Sequence, residues 1–117
     1  MKENQSYWIL KVYTMKIEIH ESAVREFDEA IEWYELQSKG LGRRFKKTVA
    51  KQIKRIKMNP NVFLKETDDI YKAYIPKFPY KILFTSEKDR IVVWAIAHMH
   101  RKPWFWQSRR DESSFPE

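Results

Sequence analysis

Apolar and polar residues alternate through Lys16-Ile17-Glu18-Ile19-His20, the two-residue period of a half-buried strand. The period then lengthens. Val24, Phe27, Ile31 and Tyr34 recur at spacings of three and four, which draws one apolar stripe down a helix of about five turns. Ser22 is its expected N-cap, and Glu26, Asp28, Glu29, Glu32 and Glu35 fall on its other faces. Gly40 and Gly42 interrupt the pattern and permit a sharp turn. Leu41, Phe45, Val49, Ile53 and Ile56 then draw a second stripe. Two amphipathic helices joined by a glycine-bearing turn form a helical hairpin.

Asn59-Pro60 should end the second helix, because proline lacks an amide hydrogen and disfavours helical geometry in the residue before it. Beyond it, Ile70 to Ile75, Tyr80 to Thr85 and Ile91 to Met99 are β-branched and aromatic runs. Pro76-Lys77-Phe78-Pro79 and Ser86-Glu87-Lys88-Asp89 separate them, as in a strand meander. The last run is apolar on both faces until His98, which suits a central strand. The order β-α-α-β-β-β predicts an α+β domain with the hairpin packed on one face of a small antiparallel sheet. This domain is expected over residues 15–109, followed by a polar tail over 110–117. Residues 1–14 read either as an extra strand carried by Tyr7, Trp8, Ile9 and Leu10 or as an N-terminal extension, and the extension is favoured.

A chain of 117 residues, 43% hydrophobic and 15% aromatic, holds one domain with one core. The absence of cysteine excludes disulfides, thiolate metal sites and cysteine nucleophiles, and a reducing cytoplasm fits this composition. The apolar run Tyr7 to Leu10 is too short for a signal-peptide core or a membrane span.

The formal charge of +7 draws polyanions or acidic proteins. It is concentrated between Leu36 and Lys65, where Arg43, Lys47, Lys51 and Lys54 stand among other cations and no acidic residue occurs. Two readings compete: mutual pairing with the acidic first helix, or a true polyanion surface. A second basic group, Lys72, Lys77, Lys81, Arg101 and Lys102, is interleaved with Tyr71, Tyr74, Phe78, Tyr80, Trp104 and Trp106. Cations beside aromatic faces suit unpaired RNA, although Tyr71, Tyr80 and Phe84 are more simply explained as core.

Several spaced pieces carry a resemblance over roughly Met15 to Arg109. They are the strand Lys16 to His20, Ala30-Ile31-Glu32-Trp33-Tyr34-Glu35, Gly40-Leu41-Gly42 with Phe45, and Asn59-Pro60. Phe78-Pro79-Tyr80 with Ile82 and Phe84 follows, then His98-Met99-His100-Arg101-Lys102-Pro103 with Trp106 and Arg109. In this order and spacing the chain resembles the plasmid-stabilisation branch of the RelE/ParE toxin superfamily. The resemblance implies a type II toxin–antitoxin toxin and a cognate antitoxin, which wraps it with an extended, partly helical segment. It implies one of two targets. ParE-like members poison DNA gyrase without visible catalysis, and RelE-like members cut messenger RNA on the ribosome.

A ribonuclease needs a base for the 2′-hydroxyl, an acid for the leaving oxygen and cations for the phosphorus. His98 and His100, two apart on a strand, share a face, and with Lys72, Lys81 and Arg101 they make a candidate constellation. Arg43, Lys47, Lys51, Lys54, Tyr80, Trp106 and Arg109 are the candidate target-binding residues. The known ribonuclease members carry arginines where this chain has Lys72 and Lys81, and a tyrosine near Trp104 or Trp106. The histidine-arginine-proline-tryptophan ending is closer to the gyrase poisons, and that reading ranks first. A nonenzymatic RNA-binding module or inactive toxin homologue is the remaining alternative. No cofactor is implied, and a metal on the histidine pair would lack a third local ligand.

Overall fold

The computed structural model describes residues 16–112, so both readings of residues 1–14 lie outside the described part. Strand β1 (Lys16–Ile19) leads into helices α1 (Glu21–Gln37) and α2 (Leu41–Met58). Strands β2 (Leu64–Thr67), β3 (Ile70–Tyr74), β4 (Tyr80–Ser86) and β5 (Arg90–His98) follow, and helix α3 (Gln107–Glu112) ends the described chain. No helix among the described residues is long and apolar enough to cross a membrane.

The α1 N-cap is His20 rather than Ser22: its imidazole Nδ1 accepts the Ser22 backbone N–H at 3.1 Å. The two glycines of the hairpin have different tasks. Gly40 sits at φ 87°, in the left-handed region that glycine enters without strain. A Cβ on Gly42 would stand 2.5 Å from the Ile31 carbonyl oxygen, so Gly42 lets α2 approach α1. Glu35 completes the junction by accepting the Gly40 and Gly42 backbone N–H groups at 2.9 and 3.0 Å. Its charge favours the N-terminus of a helix that begins with Arg43 and Arg44.

The sheet order is β1-β5-β4-β3-β2. It is mixed rather than purely antiparallel, because β1 runs parallel to β5, with Lys16 opposite Arg90 and Ile19 opposite Val93. A parallel pair needs a long crossover, and here the hairpin and three strands intervene. The meander also begins one strand earlier than the apolar runs indicate. β2 is a short edge strand of mostly polar residues, Leu64-Lys65-Glu66-Thr67, with no alternating apolar face to betray it.

Both faces of the sheet are covered. Phe45, Val49 and Ile56 of α2 meet Ala73, Ile82, Phe84, Ile91, Val93 and Ile96 in the main core. Ile70, Leu83, Val92, Trp94, Ala95 and Ala97 form a second cluster on the opposite face, closed by Trp106 and Phe105. A bulge in β5 serves both clusters: Leu83 pairs with Ala95 and Phe84 with Val93, so Trp94 is left without a cross-strand partner. Trp94 and Ala95 therefore both point to the second face, where the buried Trp94 Nε1–H donates to Thr85 Oγ1 at 3.0 Å. The same shift in alternation returns Ile96 and His98 to the helix side.

Candidate functional site

α1 crosses β5, and near the strand's C-terminal end the two leave a groove of about 300 Å³. Its walls include Glu26, Trp33, Tyr80, His98 and Arg101, and Ala30, Ile96 and Ala97 supply an apolar floor. Trp33 is 55% exposed and gives the groove a solvent-facing aromatic wall. The His98 ring lies 5.6 Å from Tyr80 and 5.4 Å from His100, and its Nδ1 accepts the His100 backbone N–H at 3.2 Å. Burial, and then the charge of Glu26, push the Tyr80 phenol above its usual pKa, so Tyr80 is a neutral hydroxyl at physiological pH.

Glu26 is the polar centre of this end of the molecule. Its Oε1 accepts the Ile96 backbone N–H at 3.0 Å and an Arg109 N–H at 2.9 Å. Its Oε2 accepts from Arg109 at 2.6 Å and from Arg101 at 3.2 Å. Arg109 also donates to the Trp94 carbonyl at 3.0 Å, and its side chain is only 12% exposed. Arg109, expected to meet a target, instead ties the C-terminal segment to α1 and β5. Trp106 is likewise corrected: at 3% exposure it belongs to the second core cluster. Trp104, at 56%, is the exposed ring of the pair.

The nuclease constellation is not assembled. Strand alternation sends Lys81, with Leu83, to the face opposite Tyr80 and His98, and Lys72 lies on that same far face beside Ile70. Both lysines converge on Glu66, at 3.2 Å for Lys81 and 3.8 Å for Lys72. The structure brings together Tyr80, His98 and Arg101, separates Lys72 and Lys81 from them, and engages Arg101 with Glu26. Among the described residues no group of three or more histidine or carboxylate side chains is placed to hold a metal.

Arg43, Lys47, Lys51 and Lys54 are exposed on α2, away from the groove. Mutual pairing across the hairpin does not occur, since none of these cations has a carboxylate of the described residues within ion-pair distance. Two acidic residues of α1 are engaged elsewhere: Glu35 with the hairpin amides, Glu26 with Arg101 and Arg109. Sequence reasoning missed Glu26 and Glu66. For Glu26 a signal existed, because Ala23, Glu26 and Ala30 continue the three-and-four spacing of the buried stripe. For Glu66, in an unrecognised edge strand, there was none.

The chain matches a known family in sequence and a solved structure in fold. The family model described as the ParE toxin of type II toxin-antitoxin system, parDE, matches residues 17–103. A solved structure titled the chromosomal ParDE TA system from P. aeruginosa is similar with a TM-score of 0.60 and 16% sequence identity. It covers 73% of this chain and 96% of that one, a likeness of fold. No curated protein matches the chain. Because the family match spans well over half of the sequence and takes in the hairpin, the sheet and the groove, this chain belongs to the ParE toxin family and is the toxin component of a type II toxin–antitoxin pair.

Proposed function

We propose that the chain arrests growth by poisoning DNA gyrase, acting as a protein ligand and not as a nuclease. One observation carries this reading: of the cations named for RNA cleavage, Arg101 alone stands beside His98, and it is engaged by Glu26. Charge that develops on phosphorus must meet preplaced donors in a confined site. Lys72 and Lys81 are on the far face and bound to Glu66, while Arg101 and Arg109 are held by Glu26. A gyrase ligand needs a binding surface alone, and the groove beside Trp33 and Tyr80 supplies aromatic walls of the kind that anchor protein interfaces.

The family pairs the toxin with a cognate antitoxin. An antitoxin segment that orders on binding can cover a large surface of its toxin. The test is induction of this chain alone in a bacterial host, with primer extension on abundant messages. Growth arrest with intact messages, retained by a His98→Ala/Lys81→Ala variant, is the expected result. Codon-positioned cuts that vanish in that variant would instead establish a RelE-like ribosome-dependent mRNA endoribonuclease. Absence of arrest would leave an RNA-binding module or inactive homologue.

A further inference from the structure

α2 and the turn between β3 and β4 enclose a cleft of about 310 Å³, lined by Thr48, Lys51, Gln52, Arg55, Pro76 and Lys77. Three cations face it and no carboxylate does. None of the three forms an ion pair with a described acidic residue. Gln52 is 6% exposed and fixed from behind: its Nε2–H donates to the Tyr74 carbonyl at 2.7 Å, and its Oε1 accepts an Arg55 N–H at 3.2 Å. Arg55 is thereby oriented with further N–H donors unused.

Lys77 sits at φ 71°, a left-handed conformation that disfavours a side chain bearing a Cβ. The turn holds it there, because Phe78 packs 5.0 Å from both Tyr34 and Phe45 and its backbone N–H bonds to the Ile75 carbonyl at 3.2 Å. A lysine on a fixed, strained backbone thus stands across the cleft from Lys51 and Arg55. Beyond the cleft, the exposed Lys47 and Arg43 continue the positive row at four-residue steps of about 6 Å along the helix axis.

We propose that this cleft seats a backbone phosphate of duplex DNA, with the row along α2 taking the neighbouring phosphates. The occupant is set by what the surface lacks as well as by its charge. α2 exposes no large apolar side chain before Met58, so it lacks the desolvated anchors of a protein interface. It exposes no aromatic ring, so it cannot stack unpaired bases. A row of exposed cations without either is suited to sequence-independent backbone contacts. The assignment is independent of the gyrase reading, since gyrase inhibition is read by a separate assay.

The test is fluorescence anisotropy with the purified full chain and a labelled duplex of about twenty base pairs, over a salt series. Binding should weaken linearly in log affinity against log salt. The triple variant Lys51→Gln/Arg55→Gln/Lys77→Gly should lose at least roughly tenfold in affinity and about two to three units of slope, each neutralised phosphate contributing about 0.9. Lys77→Gly alone should flatten the slope by about one unit while its melting temperature stays at or above wild type, because glycine accepts the left-handed backbone. Lys88→Gln, which removes one charge in the β4–β5 turn, is the charge-matched control for Lys77→Gly. DNA binding by the triple variant equal to that of Lys88→Gln would overturn the proposal. So would a cleft-dependent affinity for a polyglutamate peptide with no such dependence for DNA, which would give the cleft to an acidic protein segment.

Discussion

Replacing Glu26 by alanine should do more damage than any other single change on the polar side of the fold. The carboxylate is 15% exposed, and its chief partner, Arg109, 12%. Its removal leaves the Ile96 amide without its 3.0 Å acceptor inside a packed sheet, an omission worth about 1–3 kcal/mol. It also leaves Arg109 charged and largely buried with the Trp94 carbonyl at 3.0 Å and the face of Phe105 as its remaining partners, where loss of one member of a buried pair typically costs about 3–5 kcal/mol. The two effects overlap, and residual solvent access and the surviving carbonyl bond reduce the second. A net loss of about 3–4 kcal/mol follows, or roughly 12–25 °C in melting temperature for a domain of this size. Glu26→Gln, which keeps an acceptor, should lose about half as much. Chemical denaturation of Glu26→Ala, Arg109→Ala and the double variant would measure the coupling, expected at about 2 kcal/mol or more. A Glu26→Ala variant within about 0.5 kcal/mol of wild type would refute this account of how the C-terminal segment is held.

Three further outcomes are expected. Gly42→Ala should destabilise by about 2–3 kcal/mol, since the new methyl meets the Ile31 carbonyl oxygen at 2.5 Å and backbone must move; an unchanged urea midpoint would contradict this. Trp106→Ala should cost about 3–5 kcal/mol in thermal melts while the exposed Trp104→Ala costs far less, and equal losses would deny the second core cluster. The Arg110 guanidinium, which donates to both Asp69 oxygens at 2.9 and 3.0 Å, holds the Asp69 carboxyl below the usual range. Its folded pKa is therefore below its unfolded pKa, and the stabilisation is present above the unfolded value and lost as pH falls through the folded one. The stability difference between wild type and Asp69→Asn should accordingly shrink between about pH 5 and pH 2, and a constant difference would contradict it.

The helical hairpin was legible because two stripes with a helical period flank a glycine pair, and β3, β4 and β5 because their runs are β-branched and bounded by turn residues. β2 was not, since a polar edge strand takes its hydrogen bonds from β3 and its composition from solvent. The direction of β1 was also hidden: alternation reports which face is buried, not which way a neighbour runs. The candidate site was legible only in part. Counting by twos places Lys81 and Lys72 correctly on their own strands, yet the relation of those faces to His98 depends on the Trp94 bulge, which no local pattern announces. Trp106 and Arg109 resemble surface groups in sequence because they follow the last strand. Trp106 is buried because the chain folds back over the second face of the sheet, which also brings Arg109 to Glu26.

Adding the purified chain to DNA gyrase and relaxed plasmid and following supercoiling tests gyrase poisoning directly. Inhibition with accumulation of cleaved plasmid is expected, undiminished when His98 and Lys81 are both replaced by alanine and abolished by the cognate antitoxin. Full supercoiling in the presence of a chain that nevertheless arrests growth and cuts translated messages would contradict it.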